Sequence, residues 1–298
     1  MGIGIHLNQY LRHLNIIETH TVPKLDSAQR LSDYAVGIFQ VITTKKGIKK
    51  AISKGLITVD DQRGTTGKLL SGGETINLLE AHDNKPSISL DIDVVYEDDY
   101  LAIVIKPAGI VVSGNQKRTL ENTLPTNLER SEQVDSLARP LPVHRLDHAT
   151  SGLLLVAKTR SCHTALSNLF AQRDIHKTYH AIVMGDIQDE GVINKKIKEK
   201  SAETSYKVLK SIASDKYNSL HLVELHPSTG RRHQLRIHML ENGTPILGDR
   251  KYFIEGKVSK ASGLFLSAVG LTFKHPITDE LIEHTIETPK KFGRIIQI

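Results

Sequence analysis

The most informative segment of this 298-residue chain for chemistry is a polar string that leads into an apolar run. Residues 144–152 read HRLDHATSG, and LLLVAK follows them directly. An aspartate beside an arginine, then hydroxyl groups and a glycine at a strand entrance, predicts a carboxylate displayed from a rigid turn. Such a carboxylate can act as a nucleophile or as a base. Taken alone, Arg145 and Asp147 are also compatible with a purely structural ion pair.

The 15 histidines invite comparison with metal sites. His233 and His238 do not form an HExxH pattern, and neither a cysteine pair nor a compact acid cluster completes a ligand set. We therefore expect no metal. The segment HQLRIH is better interpreted as hydrogen-bonding structure around Arg236, on a helix that ends at Gly243.

Strand-like runs surround these groups from residue 91 onward. They are VVYEDDYLAIVIKPAG, GLLLVAKT, KTYHAIVMG, YKVLKSI and SLHLVELHP. Their spacing is uneven and does not alternate regularly with helices, which favours an α+β fold with a mixed, mainly antiparallel sheet over a doubly wound parallel one. Strand alternation places Tyr179, Ala181 and Val183 on one face.

The first 80 residues have a different pattern. Residues 30–42 and 43–55 predict two short helices, the second capped by a threonine and ended by Gly55, and LITVDD then predicts a strand and a turn. Polar turn formers fill residues 81–90. We therefore predict an N-terminal extension over 1–25, a small α/β domain over 26–80, a linker over 81–90 and a larger domain over 91–298.

Lysines crowd the second predicted helix. Lys45, Lys46, Lys49 and Lys50 lie in a stretch without any acidic residue, and the chain carries a formal charge of +6. Like charges at helical spacing repel, so an anion such as a phosphate backbone would offset the cost. The alternative is a solvated helix face without a ligand.

The cysteine count and the distribution of apolar residues indicate where the protein acts. Cys162 is the only cysteine, which excludes an intramolecular disulfide. The first residues lack a secretory apolar core, and no stretch reaches the ~18 apolar residues of a membrane span. We expect a cytoplasmic monomer that does not bind membranes.

Two resemblances sharpen this interpretation. The lysine helix, the turn after it and LSGGETI at residues 70–76 resemble the S-four-type RNA-binding domain, although Asp60-Asp61 stands where that family often has Asn and Gly. HRLDHATSGLLL is similar to the active-site motif of RNA pseudouridine synthases that modify large-subunit ribosomal RNA and some transfer RNA. KTYHAIV, GRRHQLRIH and PILGD follow in that family's order, with KPAG before them and FKHP after them.

The second resemblance implies an enzyme that needs no cofactor and isomerises uridine to pseudouridine in structured RNA, with ribosomal RNA favoured over transfer RNA. It implies that Asp147 is the catalytic carboxylate, attacking the sugar or the ring or assisting elimination. Arg236 would pair with it, and Tyr179 would stack on the uracil and help to move the C5 proton. Arg145 would enter the space vacated by a flipped base, and Arg231 would contact RNA.

Two alternatives stay open at this point. A non-catalytic RNA-binding or ribosome-assembly protein would keep the same fold. Loss of Asp147, Tyr179 or Arg236 would be the sign of such a protein, and all three are present. A glycoside hydrolase would also use a carboxylate at a sugar carbon but needs two suitably spaced ones. Asp249 is expected only to end a turn. Ser113, Ser267 and Phe253 depart from the usual family residues. We expect these departures to change the local shape of the RNA channel and with it the target.

Overall fold

The structure is a computed structural model that describes residues 16–40, 42–80, 87–255 and 263–297. It divides into two compact units, Met1–Asn84 and Lys85–Ile298. None of the helices in the described segments is long and apolar enough to cross a membrane.

The first unit is a four-stranded sheet with two helices and a small strand pair. Its elements are β1 (Ile16–Thr21), β2 (Gln29–Arg30), α1 (Leu31–Tyr34), α2 (Lys45–Ser53), β3 (Ile57–Val59), β4 (Gln62–Arg63), β5 (Leu69–Leu70) and β6 (Thr75–Leu79). The sheet order is β1-β6-β3-β4, and β2 pairs with β5. The extension predicted over 1–25 therefore includes a strand of this sheet, and its residues 1–15 lie outside the described part.

The predicted lysine helix is confirmed as α2. The Thr44 hydroxyl accepts a hydrogen bond from the Gly47 N–H at 3.1 Å, and Gly55 follows the helix with a φ of +73°. Ile48, Ala51 and Ile52 are buried against the sheet. The helix predicted over 30–42 is mostly wrong, since α1 is a single turn and Gly37 takes a φ of +81° shortly after it.

The second unit contains a ten-stranded sheet. Its strands are β7 (Val94–Glu97), β8 (Leu101–Lys106), β9 (Ser136–Pro142), β10 (Ser151–Thr159), β11 (His176–Met184), β12 (Glu190–Ile193), β13 (Thr204–Ser214), β14 (Asn218–Pro227), β15 (Leu266–Lys274) and β16 (Leu281–Thr285). Its helices are α3 (Leu120–Thr123), α4 (Arg160–Gln172), α5 (Gln234–Glu241) and α6 (Lys290–Ile296), with a 3-10 turn at Leu124–Thr126. The main strand order is β12-β13-β14-β11-β15-β10-β8-β7.

This sheet confirms the predicted α+β class. Among the strand pairs of the described residues, only β10 and β15 run parallel. They meet at Gly152, which takes a φ of +114°, and a Cβ there would lie 2.0 Å from the Ala268 carbonyl oxygen. Only glycine permits this approach, so the end of the polar string is fixed against β15.

The core of the second unit includes the predicted strand face. Tyr179, Ala181 and Val183 are buried together against residues of β8, β10 and β14. Because β11 lies between β14 and β15, its side chains are held from both sides by paired strands. A rigid central strand therefore carries Tyr179.

Candidate active site

Asp147 lies in the loop between β9 and β10, at the wall of a cavity of about 590 Å³. The Thr150 N–H donates to the Asp147 carbonyl oxygen at 3.1 Å and closes the tight turn that the sequence predicts. The carboxylate keeps 18% of its side chain exposed. It is thus accessible from the cavity while its backbone is fixed.

Arg236 is the cation beside this carboxylate, as predicted. It lies on α5, and its Nη1 is 3.2 Å from Oδ2 of Asp147. Burial on its own lowers the pKa of Arg236, but the adjacent carboxylates outweigh that effect and raise it. The predicted helix is confirmed with one correction, because His233 precedes α5 with a φ of +60° and is not one of its residues.

Asp249 is the functional residue that the sequence reasoning missed. Its two carboxylate oxygens accept hydrogen bonds from Nε and Nη2 of Arg236, at 2.6 and 2.8 Å. The backbone N–H groups of Lys251 and Tyr252 also donate to it. Burial would raise the pKa of Asp249, yet these donors hold it below its usual range. Asp249 does end a turn, as predicted, since its N–H donates to the Ile246 carbonyl oxygen at 3.1 Å, but the prediction missed its pairing with Arg236.

A sequence signal for Asp249 exists in the preceding glycine. Gly248 has a φ of +78°, and a Cβ at this position would lie 1.9 Å from the Gly263 carbonyl oxygen. Only glycine fits this close approach at a positive φ, so Gly248 fixes the path of the backbone into Asp249. The glycine of the PILGD motif was therefore the available sequence signal for a constrained position at Asp249.

Tyr252 packs against Arg236, and His233 bridges Tyr252 and Asp147. The Tyr252 ring centroid lies 5.0 Å from Cζ of Arg236, a cation–π distance. Nδ1 of His233 and the Tyr252 hydroxyl are 2.8 Å apart, and Nε2 of His233 is 3.7 Å from Asp147. Burial lowers the pKa of His233, and the Asp147 charge only partly opposes this. The guanidinium is thus immobilised by packing as well as by charge.

Tyr179 lines the same cavity as Asp147 and Arg236. Burial, followed by the negative charge of Asp147, raises the pKa of its hydroxyl. The hydroxyl therefore keeps its proton at neutral pH and can donate a hydrogen bond. The predicted trio of Asp147, Tyr179 and Arg236 is brought together.

The other charged groups of the cavity are cations. Arg145, Arg173 and Arg232 line it and are exposed, and Arg231 lines it while its Nε donates to the Ser201 carbonyl oxygen at 3.0 Å. Asp147 is the only carboxylate among the lining residues that the structure describes. Asp249 contributes no second carboxylate, because its side chain is 1% exposed. The arrangement therefore lacks the carboxylate pair of a glycosidase.

Lys106 ties two motifs together beneath the site. Its fully buried ammonium donates to the carbonyl oxygens of Pro107 and Ile110 at 2.8 Å and of His148 at 3.4 Å. Burial lowers its pKa to about 8, against the opposing charge of Asp147. The KPAG segment thus anchors the loop that carries Asp147.

The predicted RNA-binding lysines lie on α2 in the first unit. Lys46, Lys49 and Lys50 are exposed, but Nζ of Lys45 is 2.6 Å from a carboxylate oxygen of Asp33. The expectation that the lysine run lacks any acidic neighbour is therefore corrected for Lys45, whose partner precedes it by twelve residues in the chain.

Asp60 and Asp61, the departure noted from the sequence, form a turn between β3 and β4. Both have positive φ, +49° and +59°. The Asp60 carboxylate accepts a hydrogen bond from the Thr75 N–H at 2.8 Å. Aspartate tolerates this backbone region through such local bonds.

Comparison with known proteins now adds to this geometry. Residues 100–241 match the RNA pseudouridylate synthase family. An RNA pseudouridine synthase of Aquifex aeolicus is 34% identical, over 83% of this chain and 87% of its own. Ribosomal large subunit pseudouridine synthase D of Vibrio cholerae is 30% identical, over 91% of both chains.

A solved structure agrees at the level of the fold. Human RNA pseudouridylate synthase domain containing 4 superposes with a TM-score of 0.55 at 24% identity, covering 68% of this chain and 91% of its own. With the identities above, this places the mainly antiparallel sheet among pseudouridylate synthase domains. The chain belongs to the RNA pseudouridine synthases, the isomerases that convert uridine in RNA to pseudouridine, and it is of the type of the large-subunit synthases C and D.

Proposed function

We propose that this synthase isomerises specific uridines of structured ribosomal RNA and that Asp147 is its catalytic carboxylate. One observation carries the assignment of Asp147: it is the only carboxylate lining the cavity in the described residues, and it is held 3.2 Å from Arg236. The relatives named as large-subunit enzymes support the choice of ribosomal RNA.

The reaction sets three tasks for the site. The bond from ribose C1′ to uracil N1 breaks, a bond from C1′ to C5 forms, and a proton leaves C5 while N1 gains one, so the product is an isomer of the substrate. Asp147 would serve the first two tasks as an ionised group, which requires a cation to offset its burial. Arg236 provides that cation, and Asp249 and Tyr252 hold it in place.

Tyr179 is proposed to stack on the uracil and to donate a hydrogen bond. Its raised pKa argues against a phenolate base at neutral pH. A base reaches this depth only after flipping out of its helix, which costs a few kcal/mol of unstacking. Arg145, exposed at the cavity, is proposed to occupy the vacated space, and Arg231 to contact the RNA backbone.

We propose that the enzyme acts as a cytoplasmic monomer. Asp147, Tyr179 and Arg236 all come from one chain, so no second copy is required to complete the site. We propose the cytoplasmic location because the proposed substrate is ribosomal RNA.

The substrate proposal is tested with unmodified transcripts. We expect the purified protein to form pseudouridine at a few positions of a large-subunit ribosomal RNA transcript and at none in a mixed set of transfer RNA transcripts. Pseudouridine-specific chemical labelling and sequencing would locate the sites. Modification confined to transfer RNA would reject the ribosomal assignment while retaining the enzyme class.

The first unit is proposed to bind RNA as an S-four-type domain through α2. Replacing Lys46, Lys49 and Lys50 by Ala should weaken RNA binding and lower the slope of log affinity against log salt by about 2 to 3, since each lost phosphate contact removes about 0.7–0.9. Binding isotherms at several salt concentrations measure this slope.

Lys45→Ala is the matched control for that experiment. Asp33 already neutralises Lys45 at 2.6 Å, so its removal should change the slope by less than the loss of Lys49 alone. An unaltered slope in the triple variant would mean that α2 is a solvated helix face and that RNA binds elsewhere.

A further inference from the structure

Lys177 lies on the same strand as Tyr179, two residues before it. Side chains at i and i+2 share a face of a strand, and both residues line the cavity that contains Asp147. The two residues are about 6.6 Å apart along the strand. Lys177 is therefore positioned beside the group that is proposed to stack on the uracil.

Lys177 is partly buried, which lowers the pKa of its ammonium group, and it has no hydrogen-bond or ion-pair partner among the described residues. Such burial is costly for a charge unless it is paired. Lys158 shows the usual solution in the same unit, since its Nζ lies 2.7 Å from Glu97. Exposed Arg145 and Arg173 are solvated by water and need no partner. Lys177 is neither paired with a carboxylate nor fully exposed to water.

Burial lowers the pKa of Lys177, and no carboxylate among the described residues opposes this shift. Nε2 of His144 accepts the Leu155 N–H at 2.9 Å, so a neutral ring carries its proton on Nδ1. Burial, and then the positive charge of Lys177, lowers the pKa of His144 to about 3. The pair thus presents a cation beside a neutral donor, which suits an anion brought by the substrate.

We propose that Lys177 binds the phosphate attached to the flipped nucleotide and so positions its ribose over Asp147. A base on Tyr179 carries its own phosphate at a separation comparable to that between Tyr179 and Lys177 on β11. The phosphate would supply the missing counter-charge only when the nucleotide is seated. This rests on the proposed flipping of a uridine against Tyr179, but not on which RNA is modified.

Mononucleotide binding tests the contact directly. The full-length protein is titrated at pH 7 with four separate ligands: uridine, uridine 5′-monophosphate, uridine 3′-monophosphate and inorganic phosphate. Calorimetry or NMR measures the binding of each. The wild type should prefer one of the monophosphates to uridine by roughly tenfold, as expected for a hydrogen bond between charged groups. Lys177→Met should bind both alike, and Lys177→Arg should keep most of the preference.

The matched control is Lys207→Met, which removes an exposed lysine of β13 that does not line the cavity. It should retain the full preference. Equal preference in the wild type and in Lys177→Met, or no preference in the wild type, would overturn the proposal.

Thermal stability separates this role from a structural one. Lys177→Met removes an uncompensated, partly buried charge, so the melting temperature should rise by about 2–4 °C. A clear fall would show that Lys177 supports the fold and would count against the proposal. A wild type that prefers the monophosphate but leaves ribosomal transcripts unmodified would reject the proposed substrate and still support the Lys177 contact.

Discussion

Asp147→Asn is expected to abolish pseudouridine formation and to leave RNA binding intact. The amide has the shape of the carboxylate but can neither attack carbon nor accept a proton as a base. Loss of such a group commonly costs at least ~10⁴-fold in rate. Single-turnover measurements on a transcript with a mapped site would quantify the loss, and filter binding on the same transcript would report affinity.

The fold should survive this substitution because Arg236 keeps its two hydrogen bonds to Asp249. The pKa of the Tyr179 hydroxyl should also fall, since the Asp147 charge contributes to raising it. Substantial activity in a correctly folded Asp147→Asn protein would assign the catalysis to another group.

Asp249→Ala is expected to have the largest effect on stability. It removes both charge-assisted bonds to Arg236 and leaves two backbone N–H groups without their acceptor. Breaking one side of a buried ion pair typically lowers the free energy of unfolding by about 3–5 kcal/mol. Chemical denaturation of the full chain, following the transition of the second unit, measures this change.

Activity should fall with stability in the Asp249→Ala protein, by on the order of 10²-fold below the melting transition, because Arg236 loses the group that orients it. Asp279→Asn is the matched control, since asparagine tolerates the φ of +60° at this position and removes only the charge. Asp279 is 82% exposed in a surface pair with Lys274, and such pairs contribute ~0–1 kcal/mol. Equal effects of the two substitutions would mean that Asp249 does not support Arg236.

The elements that follow from local pattern were predictable. Alternating apolar residues identified β11 and the buried side of Tyr179, and apolar spacing with Thr44 and Gly55 identified α2. The motif order placed Asp147 and Arg236 together before any geometry was known. The strand and the helix follow from the spacing of residues within short stretches of sequence. The pairing of Asp147 with Arg236 follows from the family resemblance.

The features that were missed depend on contacts distant in sequence or on backbone strain. Asp33 meets Lys45 only because α1 packs against α2, and Asp249 meets Arg236 across a turn whose glycine is forced by Gly263. The helix predicted over 30–42 ends early, with Gly37 at positive φ. Periodicity reports which side of an element is apolar but does not identify the partner of a polar group.

Lys177 illustrates the same limit. The sequence shows it as one letter of the KTYHAIV motif, where a lysine is most simply a solvated side chain. Its partial burial without a partner becomes visible only when β11 is placed beside the loop that contains His144.

The sharing of one guanidinium by two carboxylates has an electrostatic consequence for substrate entry. Arg236 and the ammonium group of Lys106 together balance the charges of Asp147 and Asp249, so the exposed arginines that line the cavity carry positive charge in excess. The positive potential is therefore strongest at the exposed arginines and weaker beside Asp147. Phosphodiester groups are attracted to the arginines and to Lys177, and the part of RNA that approaches Asp147 itself is the uncharged nucleoside.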